Sequence, residues 1–164
     1  MAQFTLKSPR VKVLKILEDL AGRSNVFVSF GAIAHGEIES WMRAASLTIP
    51  SDLIEFWCQT GGGDLFDDSE TMLRPTRIPS SYPGFLQGDD IESATQFCIQ
   101  NGMPASYLLF HSGTFLSAIR LADQKFVSLD DGFQETGVFS TFEEWYAVTL
   151  RPIFVEVYDR PNQD

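Results

Sequence analysis

Apolar residues recur at three- and four-residue spacing through the first hundred positions. They then give way to short apolar runs separated by turn residues, so the pattern predicts helices first and an antiparallel meander afterwards. A first helix over about 9–21 would start from Ser8-Pro9, carry Val13, Leu14, Leu17, Leu20 and Ala21 on one stripe, and stop at Gly22. Positions 25–30 read equally as a short strand or an extended connector. A second helix over 36–46 carries Ile38, Trp41, Met42 and Ala45. A third, capped by Ser51 or Asp52, runs to about Thr60 with Leu53, Ile54, Phe56 and Trp57. Gly61 to Gly63 then end that helix and turn the chain.

Short strands are expected at 65–66 and 70–75, and a Pro-, Gly- and Ser-rich surface loop at 78–88. Asp89-Asp90 caps a helix through Ile91, Ala94, Thr95, Cys98 and Ile99, which Asn101-Gly102 ends. The meander follows as strands at 107–110, 115–121 and 126–129, with an edge strand at 136–139. Its turns fall at His111-Ser112-Gly113, Ala122-Asp123-Gln124 and Asp130-Asp131-Gly132. Ser140-Thr141-Phe142-Glu143 has the form of a capping box and opens a helix bearing Phe142, Trp145, Tyr146, Thr149 and Leu150. Pro152 kinks that helix or forces a restart, and 155–158 either completes it or forms a terminal strand.

A chain of 164 residues fits one domain, and 44% hydrophobic residues with 14 Phe exclude disorder as its default state. No apolar run approaches the ~20 residues of a membrane span. Charges at Lys12, Lys15, Glu18 and Asp19 interrupt the N-terminal apolar positions, which makes them a poor signal peptide and favours a cytosolic location. Cys58 and Cys98 sit among large apolar residues and read as reduced, buried thiols.

Charge changes the picture more. The formal net charge is −10, with +3 over residues 1–36 and −13 over the rest. Such a surface repels a phosphate backbone, which argues against direct nucleic-acid binding, and it complements a basic partner. It is equally what a merely solubilising surface looks like.

The chemistry-bearing residues form no recognisable catalytic or metal set. His35 and His111 have no partner at ligand spacing, and neither Cys-x-x-Cys, His-Glu-x-x-His nor Gly-x-Ser-x-Gly occurs. Gly61 to Gly63 follow a helix and precede Asp64, the reverse of a phosphate loop. Asp64, Asp67, Asp68 and Glu70 lack the calcium-loop spacing. The expectation is no catalytic residue, no metal and no cofactor.

Several motifs occur in the order of a known family. A helix with Trp41 leads to the joint Ile49-Pro50, then to Asp52-Leu53-Ile54-Glu55-Phe56-Trp57, then to a glycine break before a strand. After the meander comes Thr141-Phe142-Glu143-Glu144-Trp145. Over about 37–150 the chain resembles the SUKH superfamily of Smi/Knr-like proteins. It departs from the family pattern in its N-terminal helix, in its 152–164 extension, and in Gly61-Gly62 where Asn-Gly is frequent.

The resemblance implies a single-domain α+β fold with helices packed around a largely antiparallel sheet. It also implies a non-catalytic binding function, since many bacterial members are immunity proteins that neutralise toxins, often nucleases. The expected partner is a cognate, basic toxin protein. Asp64, Asp67, Asp68, Glu70, Asp130, Asp131 and Glu135 are the candidate acidic face, and Trp57 and Trp145 the core. The competing readings are a scaffold or regulatory interaction module and a small enzyme with a carboxylate or Cys–His site.

Overall fold

The computed structural model describes residues 13–75, 78–80 and 88–159. Within them the helix-forming stripes give α1 (Lys15–Leu20), α2 (His35–Ala44), α3 (Ser51–Thr60), α4 (Ile91–Gln100), α5 (Phe142–Thr149) and the short α6 (Arg151–Ile153), continued by a π-helical turn at Phe154–Tyr158. The strands are β1 (Phe27–Ser29), β2 (Gly63–Leu65), β3 (Glu70–Met72), β4 (Tyr107–Ser112), β5 (Leu116–Arg120), β6 (Lys125–Leu129) and β7 (Glu135–Phe139). They form one seven-stranded sheet in sequential order, every neighbouring pair antiparallel. This is a single-domain α+β fold. Among the described residues no helix is long and apolar enough to cross a membrane.

The core follows from strand alternation. Leu108, Phe110, Ile119 and Phe126 point to the face that α5 covers, where Phe110 meets Trp145 at 4.8 Å and Phe126 meets Phe142 at 5.9 Å between ring centroids. Trp57 and Trp145 are fully buried core residues, and each finds an acceptor for its indole N–H, Leu73 O and Ser117 Oγ, both at 3.0 Å. Near β4, α4 lies against the sheet, and Thr95 Oγ1 accepts the Leu109 N–H. Cys58 and Cys98 are both buried and not joined in a disulfide.

Most element boundaries depart from expectation for local reasons. Positions 25–30 do contain a strand, because β1 finds β2 as a partner. Neither Ser51 nor Asp52 caps α3, whose N-cap is Pro50. The capping box of α5 is shifted by one residue: Thr141 Oγ1 accepts from Glu144 N, Glu144 accepts from Ser140 N, and Glu143 reaches Lys15 N instead. Positions 154–158 continue the helix past Pro152 rather than forming a strand. The first helix, expected over about 9–21, begins only at Lys15, after an extended Leu14, and ends at Leu20; the proposed start at Ser8-Pro9 lies outside the described residues.

The glycine break behaves as its composition demands. Gly61 ends α3 at φ +68°, and a Cβ there would collide with the Gly31 carbonyl and the Arg74 guanidinium. Gly62 follows at φ +87°, pressed on the Met72 carbonyl.

Sequential antiparallel pairing has one consequence for function. The turns β2–β3, β4–β5 and β6–β7 all fall at the same end of the sheet.

Candidate functional site

Six of the seven candidate acids lie on or beside the turns at that end, but they are not equivalent. In the β2–β3 turn Phe66, Asp67 and Asp68 all have positive φ (54°, 54° and 65°). Left-handed backbone costs a non-glycine residue roughly 1 kcal/mol or more, so something must hold this turn. Ser69 donates from both N and Oγ to Phe66 O, and the buried Phe66 ring stacks on Tyr158 at 5.2 Å. Asp67 and Asp68 project from it, exposed.

Asp64 stands behind them in β2, half-buried, accepting from Thr71 Oγ1 at 2.9 Å. Burial pushes its carboxyl up to about 6. The Thr71 bond opposes this, and the charges of Asp89 and Asp68 add to it.

Glu70 does not belong to the exposed face. It is 1% exposed and accepts from Thr114 N, Thr114 Oγ1 and His111 Nε2, the last at 2.9 Å. His111 was expected in a turn. Instead β4 runs through Ser112, with a register shift between Leu109 and His111, and His111 is fully buried within the strand. Its Nδ1 lies 2.9 Å from Ser117 Oγ, which also accepts the Trp145 N–H.

Donor counting orders this chain. An ionised Glu70 can only accept, so the proton of a neutral imidazole sits on Nε2, and Ser117 Oγ, which accepts from Trp145, donates to the bare His111 Nδ1. The pKa directions agree. Burial pushes His111 down against the pull of Glu70. Burial would raise Glu70, but the bonds from His111 and Thr114 hold it below the usual carboxylate range. Glu70 thereby ties the β2–β3 turn to the β4–β5 turn, so closely that Gly113 has no room for a Cβ.

The order Ser117–His111–Glu70 is that of a hydrolytic triad. All three side chains are enclosed, however, so no substrate reaches Ser117 in this geometry.

In the β6–β7 turn Asp130 Oδ1 accepts from Gly132 N and Gln134 N, both at 2.9 Å, and so closes its own loop. Asp131 is exposed beside it. Glu135 accepts from Tyr107 Oη and from Arg120 Nη1 at 2.7 Å, and Arg120 also grips Asp123. The Tyr107 bond and then Arg120 hold the Glu135 carboxyl below its ordinary range, so this charge is already met within the protein. The face the sequence predicted thus reduces to Asp67, Asp68 and Asp131, with Asp64 behind.

Among the buried polar centres that sequence reasoning missed are Asp19, which accepts from Tyr146 Oη at 2.8 Å and Arg151 Nε at 3.1 Å, and two others. One is the His111–Ser117 link. The other is Arg74, 3% exposed, which donates to the carbonyls of Gly31, Gly61, Ile78 and Pro79. The available signal for the link was a His and a Ser interrupting strongly apolar β runs. Arg74 gave none. Among the described residues no group of three or more His, Cys, Asp or Glu side chains could hold a metal ion. Compared with known proteins, the chain matches no family model and no curated sequence.

Proposed function

We propose that this chain is a non-catalytic protein-binding domain of the SUKH type, an immunity protein that neutralises a cognate basic toxin by tight binding in the cytosol. The observation that carries the reading is the β2–β3 turn. It holds Asp67 and Asp68 in a left-handed conformation fixed by buried neighbours, at the same end of the sheet as Asp131. Carboxylates held in place before binding lose little entropy on binding, and their field speeds encounter with a basic surface. A nuclease toxin, whose site accepts phosphate, is the partner chemistry such a polyanionic edge would mimic.

The enzyme reading has less support, because the triad-like arrangement found among the described residues is sealed by Trp145 and the strands. A scaffold or regulatory module would use the same surface without a dedicated toxin. Co-purification from the native cell separates the two. The proposal expects a captured basic protein that kills cells lacking this chain and spares cells that have it. A captured protein without toxicity supports the scaffold.

A further inference from the structure

Between α4 and the turns at the acidic end of the sheet lies an apolar groove of about 630 Å³, a size typical of ligand sites. Phe97, Leu109, Phe115, Leu116 and Phe133 line it, and Asp131 adds a carboxylate. Among the described residues no Lys or Arg lines it. Phe97 is 66% exposed. A single exposed phenylalanine is ordinary, but one that borders an apolar groove extends a patch that the fold leaves in water.

The walls are held in place by the fold. Asp90 caps α4 by accepting from Ser93 N, and Thr95 Oγ1 accepts the Leu109 N–H. The Phe115 ring packs on the buried His111 ring at 4.6 Å. Beside it, Thr114 makes the bonds to Glu70 that brace the β2–β3 turn. Phe133 N donates to Asp130 O at 2.9 Å within the closed β6–β7 loop. The groove therefore shares its framework with the turns that carry Asp67, Asp68 and Asp131. Asp131 belongs to both, is exposed, and has no hydrogen bond or ion pair among the described residues.

We infer that this groove receives a large apolar side chain of the partner, flanked in the partner's chain by lysine or arginine. The inference rests on the proposed function for the basic character of that partner. The apolar side chain lies against Leu109, Phe115 and Leu116, with Phe97 and Phe133 beside it, and the flanking cation reaches Asp131. Each feature calls for one part of this ligand: apolar walls for an apolar anchor, and an unpaired carboxylate at the wall for a cation. A second copy of the chain fits worse, because each copy carries a net charge of −10. The groove supplies what the acidic edge lacks. Charges speed encounter, while a buried apolar anchor holds the complex once formed.

The test is a titration of the full chain, followed by the backbone amides of Ala94, Cys98, Gly113 and Phe133 in a ¹H–¹⁵N correlation spectrum. The probes are acetyl-Lys-Phe-Lys-amide, acetyl-Lys-Ala-Lys-amide without the anchor, and acetyl-Glu-Phe-Glu-amide with the charge reversed. The expected result is a saturable shift of those amides with the first peptide and roughly tenfold weaker binding of the other two. Phe97→Ala and Asp131→Asn, both exposed changes that leave folding intact, should each weaken the first peptide several-fold. Equal binding of the Lys-Phe-Lys and Lys-Ala-Lys peptides, or binding that neither substitution alters, overturns the groove. So does the absence of any shift, and so do shifts that follow protein concentration alone, which assign the groove to a second copy. The two proposals can fail separately. A captured toxin weakened by Asp67→Asn and Asp68→Asn but not by Phe97→Ala removes the groove alone. Saturable binding of the Lys-Phe-Lys peptide, with a captured basic partner that harms no cell, removes the immunity reading alone.

Discussion

The β2–β3 and β6–β7 turns lie at one end of the same sheet and are both acidic, yet they spend their carboxylates differently. In the β6–β7 turn Asp130 is consumed in closing the loop, and Glu135 is paired with Arg120. In the β2–β3 turn the fold does the closing with groups that are not on display, namely Glu70 beneath and the Phe66–Tyr158 stack beside. Asp67 and Asp68 are left for solvent or a partner. A run of acids in sequence therefore does not define an acidic face. What matters is which carboxylates the fold leaves unspent.

The largest test of this contrast is Glu70→Ala against Asp130→Ala. Removing Glu70 strands the His111 and Thr114 donors in the interior and should cost about 3 kcal/mol in urea unfolding. It should also move the Asp67 and Asp68 amide resonances. Removing Asp130 forfeits two exposed amide bonds and should cost about 1 kcal/mol with those resonances unmoved. Equal losses would break the comparison.

Backbone strain gives the next effect. Asp68→Gly relieves a left-handed residue and should raise stability by about 1 kcal/mol, whereas Asp131→Gly, at a position without positive φ, should lower it slightly. Thermal unfolding of the two variants decides the point. Destabilisation by Asp68→Gly would mean that its side chain, not its neighbours, holds the turn.

The smallest effect is a pH dependence with two opposing parts. Glu70 has a folded pKa below its unfolded value of 4.5, so its contribution is complete above that value and is lost as pH falls through the folded one. His111 acts in the same direction, since the unfolded chain takes up a proton below about 6.5 that the folded chain resists. Asp64 runs the other way. Its folded value of about 6 exceeds 3.8, so ionising it costs stability as pH rises through that window. Asp64→Asn should therefore stabilise the protein by about 1 kcal/mol near pH 7.5, after allowance for partial exposure, and by nothing near pH 3.5. A gain that persists at the low pH would assign it to packing.

The sequence made the fold class and most elements legible. The α3 stripe with Leu53, Phe56 and Trp57 and its glycine stop are local signals, and they hold. His111 was misplaced because a bulge breaks the alternation on which strand reading depends, so a turn-like His-Ser-Gly became the end of a strand. Asp130 and Asp131 were legible as a turn but not as one spent and one free carboxylate, because that depends on hydrogen bonds to Gly132 and Gln134. Glu70 could not be told from Asp68 in sequence; only the 41-residue reach from Glu70 to His111 separates them. Arg74 was invisible for the same reason, its acceptors lying as far away as Gly31.

On the proposed reading, Asp67 and Asp68 are the working charges of a binder. The direct measurement is the association rate of the captured partner against salt concentration, for the native chain and for the Asp67→Asn, Asp68→Asn double variant. The native rate should fall steeply with salt while dissociation changes little, and the double variant should be slower at low salt and less sensitive to it. An association rate indifferent to salt and to both substitutions would contradict this reading.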